Sequence, residues 1–128
     1  MKAAIITVMR TAESQIRTKE SVSDVPVRRI ISYINMNYGI PISNEDIAAR
    51  FNFHSTYLNR VFRADTGESI HAFLIKRRIN AAMEMLRSEI LPIGEVAKKC
   101  GFNSLYHFTK AFKKRVGMTP SEYRRLDK

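Results

Sequence analysis

Two segments of the chain carry basic, amide and hydroxyl side chains at the spacing of an exposed helix face. In the first segment the apolar residues Leu58, Val61 and Phe62 face inward, which leaves Asn59 and Arg60 pointing outward. In the major groove of DNA an arginine can bond to both acceptors of guanine, and an asparagine can bond to two groups of adenine. We therefore predict that Asn59 and Arg60 read DNA bases.

The same helix face holds four further candidate contacts. Ser55 is suited to cap the helix and to meet a phosphate, and Arg63 is better placed for the DNA backbone. Thr56 and Tyr57 complete the outward set, and Tyr57 fits a solvated surface equally well. For every member of the set the alternative is an ordinary solvated helix face.

The second segment is more basic than the first. Its helix carries four positive charges and no acid, which favours an anionic partner over a surface of salt bridges. We predict that three of its side chains read bases and that two contact phosphates. The base readers are Tyr106, Thr109 and Lys110, and the phosphate contacts are Lys113 and Lys114.

Two residues at the start of this second helix have open roles. Ser104 can cap the helix, and we include it among the DNA contacts. Leu105 can pack on a thymine methyl group or cover the neighbouring helix, and the sequence favours neither.

Helices are expected to position both segments, because apolar residues recur at helical spacing and no stretch of any length alternates with period two. We predict an all-helical fold of about seven helices, in two homeodomain-like helix-turn-helix subdomains bridged by a long linker helix. The boundaries are a tail or linker remnant at 1–24, a first subdomain at 25–68, a linker helix at 69–88 and a second subdomain at 89–128. Ser43 suits a helix cap, Gly67 and Gly117 suit helix ends, and residues 119–122 form a capping box.

The two helix-turn-helix segments match each other along the sequence. Ile47-Ala48 corresponds to Val96-Ala97 at an offset of 49 residues. After one inserted residue the offset becomes 50, and the following pairs coincide: Leu58 with Phe108, Arg60 with Lys110, Phe62 with Phe112, Arg63 with Lys113 and Gly67 with Gly117. Because apolar, basic and helix-ending positions coincide together, we interpret the chain as a duplicated helix-turn-helix.

The linker helix has a length that suits two recognition helices on one face of DNA. About 18 residues at about 1.5 Å each span about 27 Å. Successive major grooves on one face of B-DNA are roughly 34 Å apart. With some bending of the DNA, the chain could reach two grooves as a monomer, on a site without palindromic symmetry. The apolar stripe of this helix is predicted at Ile75, Ile79, Ala82, Met83 and Leu86.

The composition favours a polyanionic partner. Lys and Arg number 22 against 12 Asp and Glu, which gives a formal net charge of +10. Nucleic acid fits this charge first and an anionic membrane surface second. One cysteine and three separated histidines indicate neither a disulfide framework nor a metal site, and we expect no cofactor. No apolar run approaches the ~20 residues of a transmembrane helix, so we expect a cytoplasmic protein without a membrane partner.

Longer runs of the sequence form three signatures. The first, in the first helix-turn-helix, consists of Ile47-Ala48, Ser55-Thr56-Tyr57-Leu58-Asn59-Arg60-Val61-Phe62 and Thr66-Gly67. The second, in the linker helix, consists of Phe73-Leu74, Arg78-Ile79, Ala82 and Leu86. The third, in the second helix-turn-helix, consists of Ile93, Val96-Ala97, Gly101-Phe102, Phe108, Phe112-Lys113, Gly117-Met118-Thr119-Pro120 and Tyr123-Arg124. Together they resemble the DNA-binding domain of the AraC/XylS family of transcription regulators. The resemblance covers about residues 25–126.

This resemblance implies a function and several roles. It implies seven helices, binding of double-stranded promoter DNA and, usually, activation of transcription with contact to RNA polymerase. It also implies that Thr56 approaches base edges and that Arg78 makes contacts within the domain. Family members often carry a separate effector-binding or dimerisation domain, for which 128 residues leave no room. We therefore expect a monomer for this chain, and a dimer if it is the end of a longer regulator.

Three other classes of function compete with this interpretation. An enzyme would need a nucleophile with a base, a metal cluster or a phosphate-cradling glycine loop, and the sequence holds no such group. RNA binding is disfavoured because aromatic stacking platforms are absent. A protein-interaction module that touches polymerase and binds DNA only weakly stays open. Sequence-specific DNA binding with a steep salt dependence would separate it from our interpretation.

Overall fold

The computed structural model describes residues 24–88 and 90–126. Within these ranges it contains seven α-helices and no strand, which confirms the predicted all-helical fold. The helices are α1 (Val27–Asn37), α2 (Asn44–Arg50), α3 (Ser55–Thr66), α4 (Ile70–Ser88), α5 (Ile93–Lys99), α6 (Leu105–Val116) and α7 (Pro120–Leu126). The tail predicted at 1–24 lies outside the described residues except for Asp24.

Two hydrophobic clusters form the interior, one at each end of α4. The first is built from α1, α2, α3 and the first turns of α4, and the second from the rest of α4 with α5 and α6. The fully buried aromatic residues are Phe62 in the first cluster and Phe108 and Phe112 in the second. Tyr38, directly after α1, packs against both clusters. The linker helix α4 is therefore a structural part of both subdomains.

The apolar stripe predicted for α4 is only partly correct. Ile79, Ala82 and Leu86 are buried as predicted, whereas Ile75 and Met83 are half-buried. Ile70 and Leu74, which the prediction omitted, are buried in the first cluster. Since α4 packs on one core with its first turns and on the other with its later turns, no single stripe describes it.

The helix ends follow most of the predicted signals. The Ser43 hydroxyl accepts from the N–H of Asp46 (3.1 Å), and the Asp46 carboxylate accepts from the N–H of Ser43 (3.0 Å), which completes a capping box. Gly67 and Gly117 end α3 and α6 in the left-handed conformation, with φ of 89° and 94°. The prediction for Ser55 was wrong. This residue is the first of α3, the N-cap is His54, and no side chain caps the helix.

The duplication seen in the sequence is also present in the structure. Helices α3 and α6 have twelve residues each, and both end at a left-handed glycine. The succession of buried, half-buried and exposed positions over residues 58–70 repeats without change over residues 108–120. The two recognition helices therefore sit on equivalent scaffolds.

Two features that would point to other functions do not occur in the described ranges. None of the helices there is long and apolar enough to cross a membrane. No group of three or more His, Cys, Asp or Glu side chains in residues 24–88 and 90–126 could hold a metal ion.

Candidate nucleic-acid interface

The structure brings most of the predicted residues of α3 together on one surface. A shallow groove where α2 meets α3 is lined by Asn44, Ser55, Thr56, Asn59, Arg60 and Arg63. Thr56, Arg60 and Arg63 are exposed, while Ser55 and Asn59 are half-buried. We call this set the α3 surface. It offers hydroxyl, amide and guanidinium groups together, which are the groups that bond to phosphates and base edges.

Asn44 belongs to the α3 surface and was missed in the sequence. It is the first residue of α2 and follows the capping residue Ser43. The sequence showed that a helix begins here, but it did not show that this end meets α3. That meeting is a tertiary contact between two helices, which local patterns do not report.

Tyr57 does not join the α3 surface. Its hydroxyl donates to the Asp24 carboxylate (3.2 Å), and its ring lies 5.9 Å from the ring of Phe53. It is half-buried and packs against the first hydrophobic cluster. Its contact with the surface is indirect, because the Arg60 guanidinium carbon lies 5.3 Å from the centre of the Tyr57 ring. The structure therefore favours packing over a direct DNA contact for Tyr57.

Asn59 has a structural role that the sequence did not predict. Its Oδ1 accepts a hydrogen bond from the backbone N–H of Ile70 at 2.9 Å. Bidentate recognition of adenine needs both the oxygen and the amide nitrogen of the side chain. Because the oxygen already accepts from the first N–H of α4, Asn59 has a structural role beside the predicted contact with adenine. Both donors of Nδ2 and the second lone pair of Oδ1 remain for a partner.

The predicted residues of α6 form a second exposed surface. Tyr106, Lys110, Lys113 and Lys114 are exposed, and Thr109 is half-buried. The Lys110 ammonium lies 5.8 Å from the centre of the Tyr106 ring. We call this set, with Leu105, the α6 surface.

Ser104 and Leu105, at the start of α6, have different roles in the structure. The Ser104 hydroxyl accepts from the N–H of His107 (3.0 Å) and lies 2.9 Å from Nδ1 of the same residue. Its capping role is thereby confirmed. Leu105 is 52% exposed and lies outside the second hydrophobic cluster. This exposure disfavours the alternative that Leu105 covers a neighbouring helix, and the thymine contact stays a prediction.

Electrostatics distinguish these two surfaces from a salt-bridged exterior. In the described part of the chain the ion pair is that of Lys76 with Glu68, on the linker side of the first subdomain. The basic residues of the α3 and α6 surfaces form none within those ranges. Their charge is thus available to neutralise phosphates.

Arg78, in the middle of α4, has an internal role. It is 7% exposed, and it donates hydrogen bonds to the carbonyl oxygens of Tyr38 (2.7 Å) and Ile40 (3.0 Å). Burial of the guanidinium lowers the pKa of Arg78, and the nearby Cys100 acts in the opposite direction. The contacts within the domain that the resemblance implied for Arg78 are therefore confirmed.

Two exposed basic helices, each the second helix of a helix-turn-helix, define a tandem DNA-binding domain. Comparison with known proteins identifies its family. A family model described as a helix-turn-helix domain matches residues 47–126. The chain belongs to the AraC family of transcription regulators, as its DNA-binding domain.

Individual relatives agree with this assignment. The Msm operon regulatory protein of Streptococcus mutans is 30% identical over 88% of this chain and 40% of its own length. The Right origin-binding protein of Escherichia coli is 32% identical over 77% of this chain and 34% of its own length. The chain thus spans well under half the length of these relatives. The family is one of transcription regulators with helix-turn-helix DNA-binding domains, so this domain is not an enzyme.

Solved structures show the same fold. The C-terminal domain of AraT, a response regulator from Geobacillus stearothermophilus, superposes with a TM-score of 0.77 at 34% identity, over 83% of this chain and 88% of that one. The DNA-binding domain of AdpA, solved in complex with a target DNA, has a TM-score of 0.75 at 27% identity, over 79% of this chain and 91% of that one.

Proposed function

We propose that the chain recognises a specific double-stranded promoter sequence by placing α3 and α6 in successive major grooves, and that it activates transcription. The observation that carries this proposal is the pair of exposed basic surfaces on equivalent scaffolds. The solved complex of AdpA with a target DNA supports it, since that domain shares the fold. Access to chromosomal DNA then implies a cytoplasmic location.

On the α3 surface we assign base reading to Arg60 and Thr56. Arg60 is exposed, carries a fixed charge and has a planar fork that fits guanine. Asn44, Ser55 and Arg63 are assigned to the DNA backbone, because they flank these two residues along the groove.

On the α6 surface the assignments follow exposure. We assign base contacts to Leu105, Tyr106, Thr109 and Lys110, with Leu105 against a thymine methyl group. Lys113 and Lys114 lie in the last turn of the helix and are assigned to phosphates. Ser104 is assigned to its cap, because its hydroxyl is already engaged with His107.

The first experiment is selection of bound sequences from a random duplex library, followed by footprinting of the selected site. We expect one asymmetric motif with two protected major-groove segments about one helical turn apart. Weak, salt-sensitive binding to every duplex without a motif would contradict specific recognition and favour a module that acts mainly through protein contacts.

Substitutions then test the assignments. Arg60→Ala should weaken specific binding by about 1–3 kcal/mol and relax the preference at one base pair. Lys113→Ala should weaken binding to all sequences alike and lower the salt slope by about one. Arg28→Ala is the matched control, since it removes an exposed arginine of α1 that lies near Val61 and Asp65 of α3 and belongs to neither surface. An unchanged base preference in Arg60→Ala would refute the assigned recognition face.

Activation is tested separately from DNA binding. We propose that the bound chain contacts RNA polymerase and acts as a monomer. In a transcription assay with purified polymerase and a promoter carrying the selected site, added protein should raise transcript yield. Lower yield would identify a repressor. A molar mass of twice the chain in sedimentation of the DNA complex would contradict the monomer.

A further inference from the structure

The two subdomains are joined at a second place besides the continuous helix α4. The hydrogen bonds of Arg78 end on Tyr38 and Ile40, which lie in the loop between α1 and α2. On its other side the Arg78 guanidinium lies 5.9 Å from the centre of the Phe102 ring, in the second hydrophobic cluster. Arg78 therefore holds the loop of the first subdomain against the core of the second.

The backbone of the two subdomains meets at the same place. A Cβ atom added to Gly101, in the turn between α5 and α6, would lie 2.3 Å from the carbonyl oxygen of Tyr38 and 2.7 Å from Nε of Arg78. A Cβ atom added to Gly39 would lie 3.0 Å from the carbonyl oxygen of Lys99. The loop at 38–40 and the turn at 99–102 thus pack with no space for a side chain between them. We call this contact the 38–40/99–102 junction.

The repeat shows that Gly101 is required by this junction and not only by its own conformation. At the offset of 49 residues, Gly101 corresponds to Asn52 in the first helix-turn-helix. Both residues have positive φ, 96° for Gly101 and 63° for Asn52. Because an asparagine serves in the equivalent turn, positive φ alone does not demand glycine. Gly101 differs from Asn52 in its larger φ and in the close approach of the Tyr38 carbonyl oxygen.

We propose that Arg78 is a positioning residue that fixes the distance and angle between α3 and α6, so that the chain accepts one spacing of its two half-sites. This inference rests on the proposed reading of two grooves. A single helix that joins two small domains can bend, whereas two separate attachments hold them in one arrangement. The buried, charge-assisted hydrogen bonds of Arg78 provide the second attachment.

If the two recognition helices are held rigidly, the affinity for DNA should depend on the spacing of the two half-sites. One added base pair moves the second half-site by about 3.4 Å and rotates it by about 34–36° around the helix axis. A rigid pair of recognition helices cannot follow that rotation without losing contacts at one half-site. A flexible pair can follow it.

The test compares affinities across a set of duplexes. The set contains the selected site, the same site with one base pair inserted or removed between the half-sites, and each half-site alone. For the wild-type chain we expect a loss of about tenfold or more with either change of spacing, comparable to one mismatched base pair. Equal affinity of the wild-type chain for all spacings would overturn the inference.

Two variants act on the junction in different ways. Arg78→Gln removes the charge and shortens the donor, and Gly101→Asn keeps a residue that tolerates positive φ while placing a side chain against Tyr38. Both variants should bind the selected spacing more weakly than the wild-type chain does, and the altered spacings about as well as it does. The ratio of the affinity for the selected spacing to that for an altered spacing should therefore fall from about tenfold to about threefold or less. Gly94→Ala is the matched control, because its Cβ would meet no atom within 4 Å. It should keep the wild-type ratio.

The readouts separate this inference from the proposed function. Half-site affinities should be unchanged in both variants, since neither residue lies on the α3 or α6 surface. A spacing ratio that stays at the wild-type value in folded Gly101→Asn would refute the positioning role of the junction. Absence of half-site binding by the wild-type chain would instead refute the proposed function. If Arg78→Gln fails to fold by circular dichroism, Gly101→Asn alone decides the question.

Discussion

The hydrogen bond that Asn59 accepts from the first N–H of α4 gives a prediction that separates a structural role from DNA reading. The first N–H groups of a helix have no partner within the helix, and a side-chain acceptor there stabilises it. At α4, Asn59 accepts from Ile70 (2.9 Å) and the Ser69 hydroxyl accepts from Ala72 (3.0 Å). Asn59→Ala removes the first of these acceptors in a half-buried position.

The expected cost follows from the loss of one capping hydrogen bond. Such losses lower stability by about 0.5–2 kcal/mol, typically about 1 kcal/mol. In a domain of about 100 residues, a loss of about 1 kcal/mol corresponds to a fall in Tm of roughly 4–8 °C. Thermal and urea unfolding followed by circular dichroism, without DNA, measures it directly.

Two matched variants sharpen the test. Thr109→Ala changes the equivalent residue of α6, where the position of Ile70 is taken by Pro120, which has no N–H to satisfy. It should lose no stability by this route. Asn59→Asp keeps an acceptor oxygen and should retain the stability that Asn59→Ala loses, while its negative charge weakens DNA binding. Unchanged stability in Asn59→Ala, together with an altered base preference, would refute this reasoning and favour adenine reading.

Three further predictions concern caps and the exposed leucine. Ser43→Ala should destabilise the fold by about 1 kcal/mol in urea unfolding, since it breaks the capping box of α2, and an unchanged midpoint would contradict that role. The backbone N–H of Thr119 donates to Glu122 and lowers the pKa of that carboxyl group, so its stabilisation is present above the ordinary carboxyl pKa and is lost as the pH falls through the lowered value. Glu122→Gln should therefore flatten the acid limb of the plot of Tm against pH, and an unchanged limb would refute the link. Leu105→Ala should cost about 1 kcal/mol of DNA affinity, and replacing the contacted thymine by deoxyuridine should abolish that difference.

Local signals in the sequence were sufficient for most of the helices. The glycines that end α3 and α6, the cap at Ser43 and the inward residues Leu58 and Phe108 all lie where their spacing predicted. Each of these signals acts within about one turn of a helix. The duplication strengthened these signals, because the same pattern occurs independently in each half of the chain.

The structural roles of Asn59 and Tyr57, which the sequence did not predict, involve partners that are distant in the sequence. Asn59 bonds to an N–H eleven residues away, and Tyr57 bonds to Asp24, 33 residues away. Helical periodicity placed both residues outside the inward stripe of α3, although Tyr57 in fact packs against the first hydrophobic cluster. It could not show that α4 begins beside one of them and that the chain before α1 lies beside the other.

If α3 and α6 each read one half-site, as we propose, we predict that the bound DNA site is asymmetric. The buried positions of the two halves coincide from residue 58 to 70 and from 108 to 120, so the two recognition helices are held in the same way. Their assigned base readers differ, since Arg60 corresponds to Lys110 and Thr56 corresponds to Tyr106 in the repeat. Arginine binds guanine through two parallel bonds, whereas lysine acts as a single flexible donor, so we expect the two halves to favour different bases. A variant in which the outward residues of α3 and α6 are exchanged should therefore prefer a site with its two half-sites in the opposite order. Selection of bound sequences from a random duplex library would show this order directly.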